Sequence, residues 1–366
     1  MNNRTSHPTP RPGIMGISPY VAGRSSLAGQ QNVIRLASNE SALGPSPRAT
    51  AAYEAHGASL HRYPDGGAAD LRAALGALNG IDAEHIVCGS GSDEIIQLLT
   101  KAYAGPGDEV LYSRHGFLVY ELAARAVGAA PVAAPETDLC ADVDALLAHV
   151  TEKTRLLFLA NPNNPTGSYL SAEELRRLWN GLPENIVLVI DAAYAEFVGA
   201  ADYDASADLV GRAENVVMTR TFSKIYGLAS LRLGWCYASA AVIDVMNRVR
   251  GPFNVTGPAL AAGLAALEDQ EHVDKARRHN DKWLQRLDAE LKNIGITALP
   301  SVGNFVLLRF AEDGGRDSKA ADAFLTGRGI LARNVDNYHL PDCLRVTIGK
   351  DAEMDALLAA LTEFMA

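Results

Sequence analysis

The sequence predicts an α/β fold: a large domain with a mainly parallel sheet sandwiched by helices, plus a smaller α+β domain formed by the C-terminal part and the N-terminal segment. Two observations predict it. Between residues 86 and 224 the chain alternates short apolar runs with helical patterns. These runs lack the polar–apolar alternation of a half-solvated strand, so they read as strands buried on both faces, as in a parallel sheet covered by helices. From about residue 265 the rhythm changes to a long charged helical stretch followed by separate strand-like and helical segments.

Taken in order, the start "MNNRTSHPTPRPG" is polar and proline-rich and has no apolar core of a secretory signal. It reads as a flexible arm over residues 1–13. Residues 14–60 are expected to pack with the smaller domain. The large domain spans residues 61–265. In it "HIVCGSG" reads as a strand ending in a turn. "SDEIIQLLTKAYAG" reads as the helix that follows, with acidic residues in its first turn and glycine at its end. "DEVLYS", "TRLLFLANP", "NIVLVIDAAY" and "NVVMTRTFSK" each hold one apolar run, mostly β-branched or leucine, that stops where polar or glycine residues begin. Residues 266–366 form the small domain. "QEHVDKARRHNDKWLQRLDAELKNIG" is its long charged helix. Strand-like "NFVLLRF", a helix around "SKAADAFLTGRG", strand-like "CLRVTIG" and a terminal helix follow.

Composition narrows the function. With 366 residues, 48% of them apolar, the chain can bury a sizeable core. A formal net charge of −10 argues against nucleic acid or an anionic membrane as main partner, since both need a basic face. A small anionic ligand needs only a few local arginines or backbone N–H groups and stays open. Cys88, Cys140, Cys236 and Cys343 are scattered, and neither C-x-x-C nor H-E-x-x-H occurs. Structural zinc and a disulfide framework are therefore unsupported, and a reducing cytoplasm fits. No apolar stretch reaches the roughly 18 residues that span a bilayer.

Ligands of open α/β sheets collect beyond the carboxyl ends of the strands. Four such ends carry chemistry here: Gly89-Ser90-Gly91-Ser92-Asp93, the loop "NPNNPTG" from Asn161 to Gly167, Asp191 with Tyr194, and Thr221-Phe222-Ser223-Lys224. Each alone has a plain reading. Glycine and serine make turns and caps, an asparagine–proline loop is a loop, an aspartate caps a helix, and a lysine is usually solvated. The "GSGSDE" turn is neither G-x-G-x-x-G nor a Walker loop, and it lacks the G-x-S-x-G spacing of a hydrolase elbow. Together, however, the four ends supply an amine, a carboxylate, hydrogen-bond donors and an anion site. Pyridoxal phosphate requires that set.

The order "GSGSDE", "NPNNPTG", "DAAY", "SKIYGLASLRLGW" resembles the fold-type I, aspartate-aminotransferase-like family of pyridoxal 5'-phosphate enzymes over nearly the whole chain. The resemblance implies a role for each matching residue. Lys224 is similar to the lysine that bonds the cofactor as a Schiff base, and Asp191 to the partner of the pyridine nitrogen. Asn164 and Tyr194 take the places of donors to the ring oxygen. Ser223, Arg232 and the N–H groups of Ser92 and Asp93 take the place of the phosphate cup, and Phe117 that of the aromatic stacked on the ring. Many relatives have tyrosine at that last position. The apolar run around Lys224 should lower its pKa and favour the neutral nucleophile.

Further stretches resemble the histidinol-phosphate aminotransferase subfamily: "ISPYVAGR" with Tyr20, "IRLASNESALGPSP" with Asn39, "HRYPDGG" with Tyr63, and "ILARNVDNYHLPDCLRVTIG" with Arg333 and Arg345. The resemblance implies that Arg345 binds the α-carboxylate of glutamate and that Arg333, with Tyr20, binds the phosphate of the other substrate. Asn39 joins the substrate site, and Tyr63 reaches the cofactor phosphate of a neighbouring subunit in a homodimer with shared active sites. It further implies small-molecule substrates (histidinol phosphate or imidazole acetol phosphate, glutamate or 2-oxoglutarate) and a cytoplasmic location. Many relatives read Asn-Glu-Asn-Pro where this chain has Asn39-Glu40-Ser41-Ala42, which leaves substrate preference open. Aromatic amino-acid transamination is the nearest alternative, threonine-phosphate decarboxylation a more distant one. A binding-only relative would need neither Lys224 nor Asp191, and a nucleotide-dependent dehydrogenase lacks its fingerprint here.

Overall fold

The computed structural model describes residues 9–11, 13–19, 23–27, 29, 32–311 and 315–366. Most of the expected arm at 1–13 lies outside the described residues, and so does Tyr20. Among the described residues a seven-stranded sheet dominates. Its strands lie in the order Ile86–Gly89, Gly234–Ala238, Val216–Thr221, Val187–Asp191, Thr154–Ala160, Glu109–Ser113, Ala130–Ala134. Gly234–Ala238 runs antiparallel to both neighbours; every other pairing is parallel.

The unbroken apolar runs follow from cores on both faces. Along Val187–Asp191, Val187 and Val189 enter one hydrophobic cluster, while Leu188 and Ile190 enter another across the sheet. Alternate residues point to opposite faces, so both sets must be apolar.

A second sheet of four strands lies further along the chain, ordered Thr297–Ala298, Phe305–Arg309, Cys343–Thr347, Arg333–Asn334, all antiparallel. The helix Gln270–Asn293 links the two regions. Its Val273 and Ala276 join the core of the large sheet, while Trp283, Leu287 and Leu291 join the core of the small one. The short strand Ile34–Arg35 pairs in parallel with Ile330–Leu331, and Leu36 enters the small-sheet core. The helix Pro47–His56 instead packs on Gly257–Leu267 beside the large sheet. No helix among the described residues is long and apolar enough to cross a membrane.

Candidate active site

The parallel strands end on one edge, and a cavity opens there between the large and small sheets. Its walls carry Lys224, Asp191, Tyr194, Asn164, Ser92, Asp93, Ser223, Arg232, Phe117, Asn39, Arg333 and Arg345. Of the fourteen site residues expected from sequence these twelve are brought together. Tyr63 is elsewhere on this chain's surface, and Tyr20 is among the residues not described.

Asp191 ends its strand, in register with Ala160 on one side and Thr219 on the other. Its carboxylate accepts from the Tyr120 hydroxyl at 2.8 Å and the Thr219 hydroxyl at 3.0 Å. Burial raises its pKa to about 6, and those two hydrogen bonds pull the other way. Lys224 follows the strand Val216–Thr221. Its ammonium donates to the Ser38 carbonyl at 3.4 Å and stands 5.5 Å from the Tyr194 ring centroid. Burial, then the nearby Arg345 guanidinium, lowers its pKa to about 8, with Arg232 adding to the effect and Asp93 opposing it. Desolvation thus moves the acid up and the base down, and both drift toward neutrality.

The helix Ser92–Tyr103 begins at Gly91 without a side-chain cap, so its first N–H groups are free of a capping acceptor. Arg232 donates to Ser223 Oγ at 3.2 Å and to Asp93 Oδ2 at 3.0 Å. A Cβ on Gly91, at φ 81°, would lie 2.4 Å from Arg232 Nη2; one on Gly234 would lie 2.4 Å from the Ser92 nitrogen. Only glycine permits this approach of backbone and guanidinium. The donor set of bare helix N–H groups, a hydroxyl and an arginine suits a phosphate.

The opposite wall comes from the small sheet. Arg333 and Arg345 are direct cross-strand partners. Buried Arg345 donates to Asn164 Oδ1 and, at 2.7 Å, to the Ala37 carbonyl. The Asn164 loop is itself held by Asn163, which donates to the His115 carbonyl at 3.2 Å and to Thr166 Oγ1 at 2.9 Å. Asn39 is buried at φ 56° and donates to the Tyr194 hydroxyl at 2.8 Å; its backbone N–H donates to Thr347 Oγ1 at 2.8 Å. Burial pushes the Tyr194 phenol up to about 12. Ser41 and Ala42, which depart from the family pattern, line a separate small hollow beside Asn280 and Asn304 rather than this cavity.

Sequence reading missed Tyr120, Thr219 and Tyr338. Tyr120 is fully buried beneath the site and meets Phe117 edge-on at 5.9 Å. Its only signal was its place three residues after Phe117. Thr219 could have been found as the residue two before the strand end, on the same face as Thr221. Tyr338, on the cavity wall, is the last residue of a single turn of 3₁₀ helix, Asp336–Tyr338, with no sequence mark.

Residues 31–361 match the family model for aminotransferase class I and II. The chain belongs to that family. It is 57% identical to a histidinol-phosphate aminotransferase of Paramagnetospirillum magneticum over 98% of this chain and 99% of that one. To the protein of that description from Rhodospirillum centenum it is 55% identical, again covering 98% and 99%. The crystal structure of histidinol-phosphate aminotransferase from Sinorhizobium meliloti in complex with pyridoxal-5'-phosphate is similar with a TM-score of 0.89, at 30% identity, over 99% of this chain and 98% of that one. The family's fold matches the expected architecture of a mainly parallel sheet between helices.

Proposed function

We propose that this aminotransferase is a histidinol-phosphate:2-oxoglutarate aminotransferase that works with pyridoxal 5'-phosphate. The observation that carries the reading is one cavity with Lys224 and Asp191 on its floor and two anion sites from different sheets, Arg232 with the helix start and the Arg333–Arg345 pair. A substrate bearing a phosphate, and a second bearing an extra carboxylate, both suit such a cavity. Full-length identity to histidinol-phosphate aminotransferases supports the same choice.

The residues fit the cofactor. Ser223, Arg232 and the N–H groups of Ser92 and Asp93 would hold its phosphate, Asp191 its ring nitrogen, and Asn164 and Tyr194 its ring oxygen, with Phe117 against the ring. When bound, the group supplies an aldehyde that condenses with amines and a cationic ring that accepts the electron pair left when the α-hydrogen departs as a proton. Lys224, with its pKa near 8, has a neutral amine available to take that proton at Nζ and return it elsewhere. Asp191, once beside a cation, ionises and keeps that cation protonated. Asn39 orients the Tyr194 phenol through its 2.8 Å hydrogen bond. Arg345 would take the α-carboxylate, and Arg333 with Tyr20 the substrate phosphate.

On this reading residues 61–265 carry the cofactor, while residues 266–366 with the N-terminal segment bring the substrate arginines. The enzyme is a homodimer in which Tyr63 serves the partner's site, since Tyr63 is 82% exposed and does not line its own chain's cavity. Four free cysteines favour the cytoplasm.

Steady-state kinetics test the substrate. With 2-oxoglutarate as acceptor, histidinol phosphate should exceed phenylalanine in kcat/KM by about 10- to 100-fold, the value of one charged hydrogen-bonded contact. Equal or reversed preference would assign the enzyme to aromatic amino acids.

A further inference from the structure

We propose that Phe253 is a positioning residue for Tyr63, and that Asn254 and Arg250 tie this pair to the anion-binding turn at Gly89–Ser92. The inference rests on the reading that Tyr63 serves the neighbouring subunit's cofactor phosphate.

A tyrosine that is 82% exposed has too little contact with its own chain to be held by burial. What holds Tyr63 is a stack on Phe253, with ring centroids 4.7 Å apart and planes at 22°. Phe253 is itself unusual. Its φ of 53° lies in the left-handed region that bulky residues avoid. The residue is 44% exposed, so ordinary core packing does not offset that strain. Strain of this kind persists where surrounding structure fixes it, and such places cluster at working sites.

The surrounding structure is a chain of hydrogen bonds. Arg250 Nη1 donates to the Gly66 carbonyl at 2.8 Å and to Asn254 Oδ1 at 3.2 Å, clasping the Tyr63 turn to the residue after Phe253. A Cβ on Gly66 would touch the Phe253 ring at 3.4 Å, so turn and ring are closely packed. The turn is stiffened by Asp65, whose carboxylate accepts from the Gly67 and Ala69 N–H groups at 2.9 and 2.6 Å. Asn254 Nδ2 donates to Glu94 Oε2 at 2.7 Å and to the Cys88 carbonyl at 3.2 Å. The Asn254 carbonyl accepts from Ser90 Oγ at 2.6 Å, and Glu94 Oε2 also accepts from the Ser90 N–H at 2.6 Å. Ser90 and Glu94 bracket Gly91 and Ser92, where the helix begins. One continuous path therefore joins the Tyr63 turn to the phosphate-binding turn of its own subunit.

Titration of the cofactor-free protein with pyridoxal phosphate, read by absorbance, tests this together with thermal melting. Phe253→Gly removes the ring and relaxes the left-handed backbone. It should weaken cofactor binding about 3- to 10-fold, the scale of an aromatic pair, while the cofactor-free melting temperature holds. Phe253→Tyr restores the stack and should bind as wild type. In a Tyr63→Phe background, Phe253→Gly should add no further loss, because it acts through the Tyr63 hydroxyl. Where Tyr63→Phe weakens the cofactor, unchanged binding by Phe253→Gly overturns the inference and leaves Tyr63's role intact. Additive losses, no rescue by Phe253→Tyr, or a melting temperature that falls with affinity also overturn it. Wild-type affinity in Tyr63→Phe itself would instead overturn the reading of Tyr63 beneath it.

Discussion

Tyr120→Phe offers a sharp test of how Asp191 is tuned. The change removes one oxygen and leaves the fully buried ring, stacked on Phe158 at 4.8 Å, in place. Lost is the 2.8 Å hydrogen bond to Asp191 Oδ2. A hydrogen bond to a charged group contributes about 1.5–3 kcal/mol. That bond favours the ionised carboxylate, and at about 1.4 kcal/mol per pH unit its loss moves the Asp191 titration up by about one to two pH units. The direction follows from the structure: burial already raises Asp191 to about 6, and Tyr120 is the first of the groups opposing it. A cationic ring nitrogen needs the ionised form. Below its own titration midpoint the variant should therefore bind pyridoxal phosphate about 10- to 100-fold more weakly than wild type, and the gap should narrow as pH rises. The assay is absorbance titration of the cofactor-free protein across pH 5 to 9, in wild type, Tyr120→Phe, Asp191→Asn and the double variant. In the Asp191→Asn background Tyr120→Phe should cost little. Equal losses in both backgrounds, or a wild-type pH profile in Tyr120→Phe, would refute the assignment.

Other expectations concern the rest of the site. Lys224→Ala should abolish transamination with the fold intact; near wild-type turnover would exclude it as the proton carrier. Because the folded Lys224 pKa lies near 8, below the usual 10.5, stability from this group is present above 10.5 and lost as pH falls through 8. Cofactor-free Lys224→Met should then melt above wild type at pH 7, by at most about 3 kcal/mol, and lose that advantage by pH 10.5. Arg345→Ala should raise KM for glutamate strongly, whereas Arg333→Ala should impair histidinol phosphate more than phenylalanine; uniform losses would make Arg333 structural. Gly91→Ala, placing a methyl 2.4 Å from Arg232 Nη2 at φ 81°, should weaken the cofactor more than it lowers the melting temperature, and thermal melting beside cofactor titration checks this. Mixing Lys224→Ala with Tyr63→Phe subunits should restore about half of wild-type activity per heterodimer, since one site then carries both defects and the other neither. No recovery despite demonstrated exchange would confine Tyr63 to its own chain.

Local pattern made the floor of the site legible. The runs ending at Ala160, Asp191 and Thr221 are apolar on both faces, so they read as parallel strands, and parallel strands must deliver their carboxyl ends to one edge. That alone brings Asp191 and Lys224 together. The strands Ala130–Ala134 and Gly234–Ala238 escaped because "APVAA" is alanine-rich at the sheet edge and "GWCYA" is joined to the previous strand by a loop holding one turn of 3₁₀ helix, Ala229–Leu231, and no α-helix. Tyr120 escaped for a tertiary reason. It lies 71 positions before Asp191, and a tyrosine within an apolar helix looks the same whether its hydroxyl meets a carboxylate or a backbone carbonyl. The Arg333–Arg345 pairing depends on antiparallel register, which a two-residue strand does not announce.

That pairing bears on how an acidic chain attracts anionic substrates. The formal charge of the whole protein is −10, which at long range repels a phosphate. The cavity reverses the sign locally. Lys224, Arg232, Arg333 and Arg345 line it against Glu40, Asp93 and Asp191, and Asp191 has its pKa raised to about 6 by burial. Low-dielectric walls make those local charges count for more than distant surface carboxylates, which solvent and salt screen within about 10 Å at 0.1 M. The cations are also divided. Arg232 belongs with the helix start on the large sheet, and Arg333 and Arg345 belong to the small one. With Arg232 and the helix start holding the cofactor phosphate, the substrate's anionic groups meet Arg333 and Arg345, cross-strand neighbours on the small sheet. A substrate with one anionic group can engage one of these arginines, and a substrate with two can engage both. Activity on substrates with two anionic groups should accordingly be less sensitive to salt than that on singly anionic ones, because two charged contacts inside the cavity replace one. Identical salt dependence for both classes would mean that Arg333 and Arg345 do not act on one ligand.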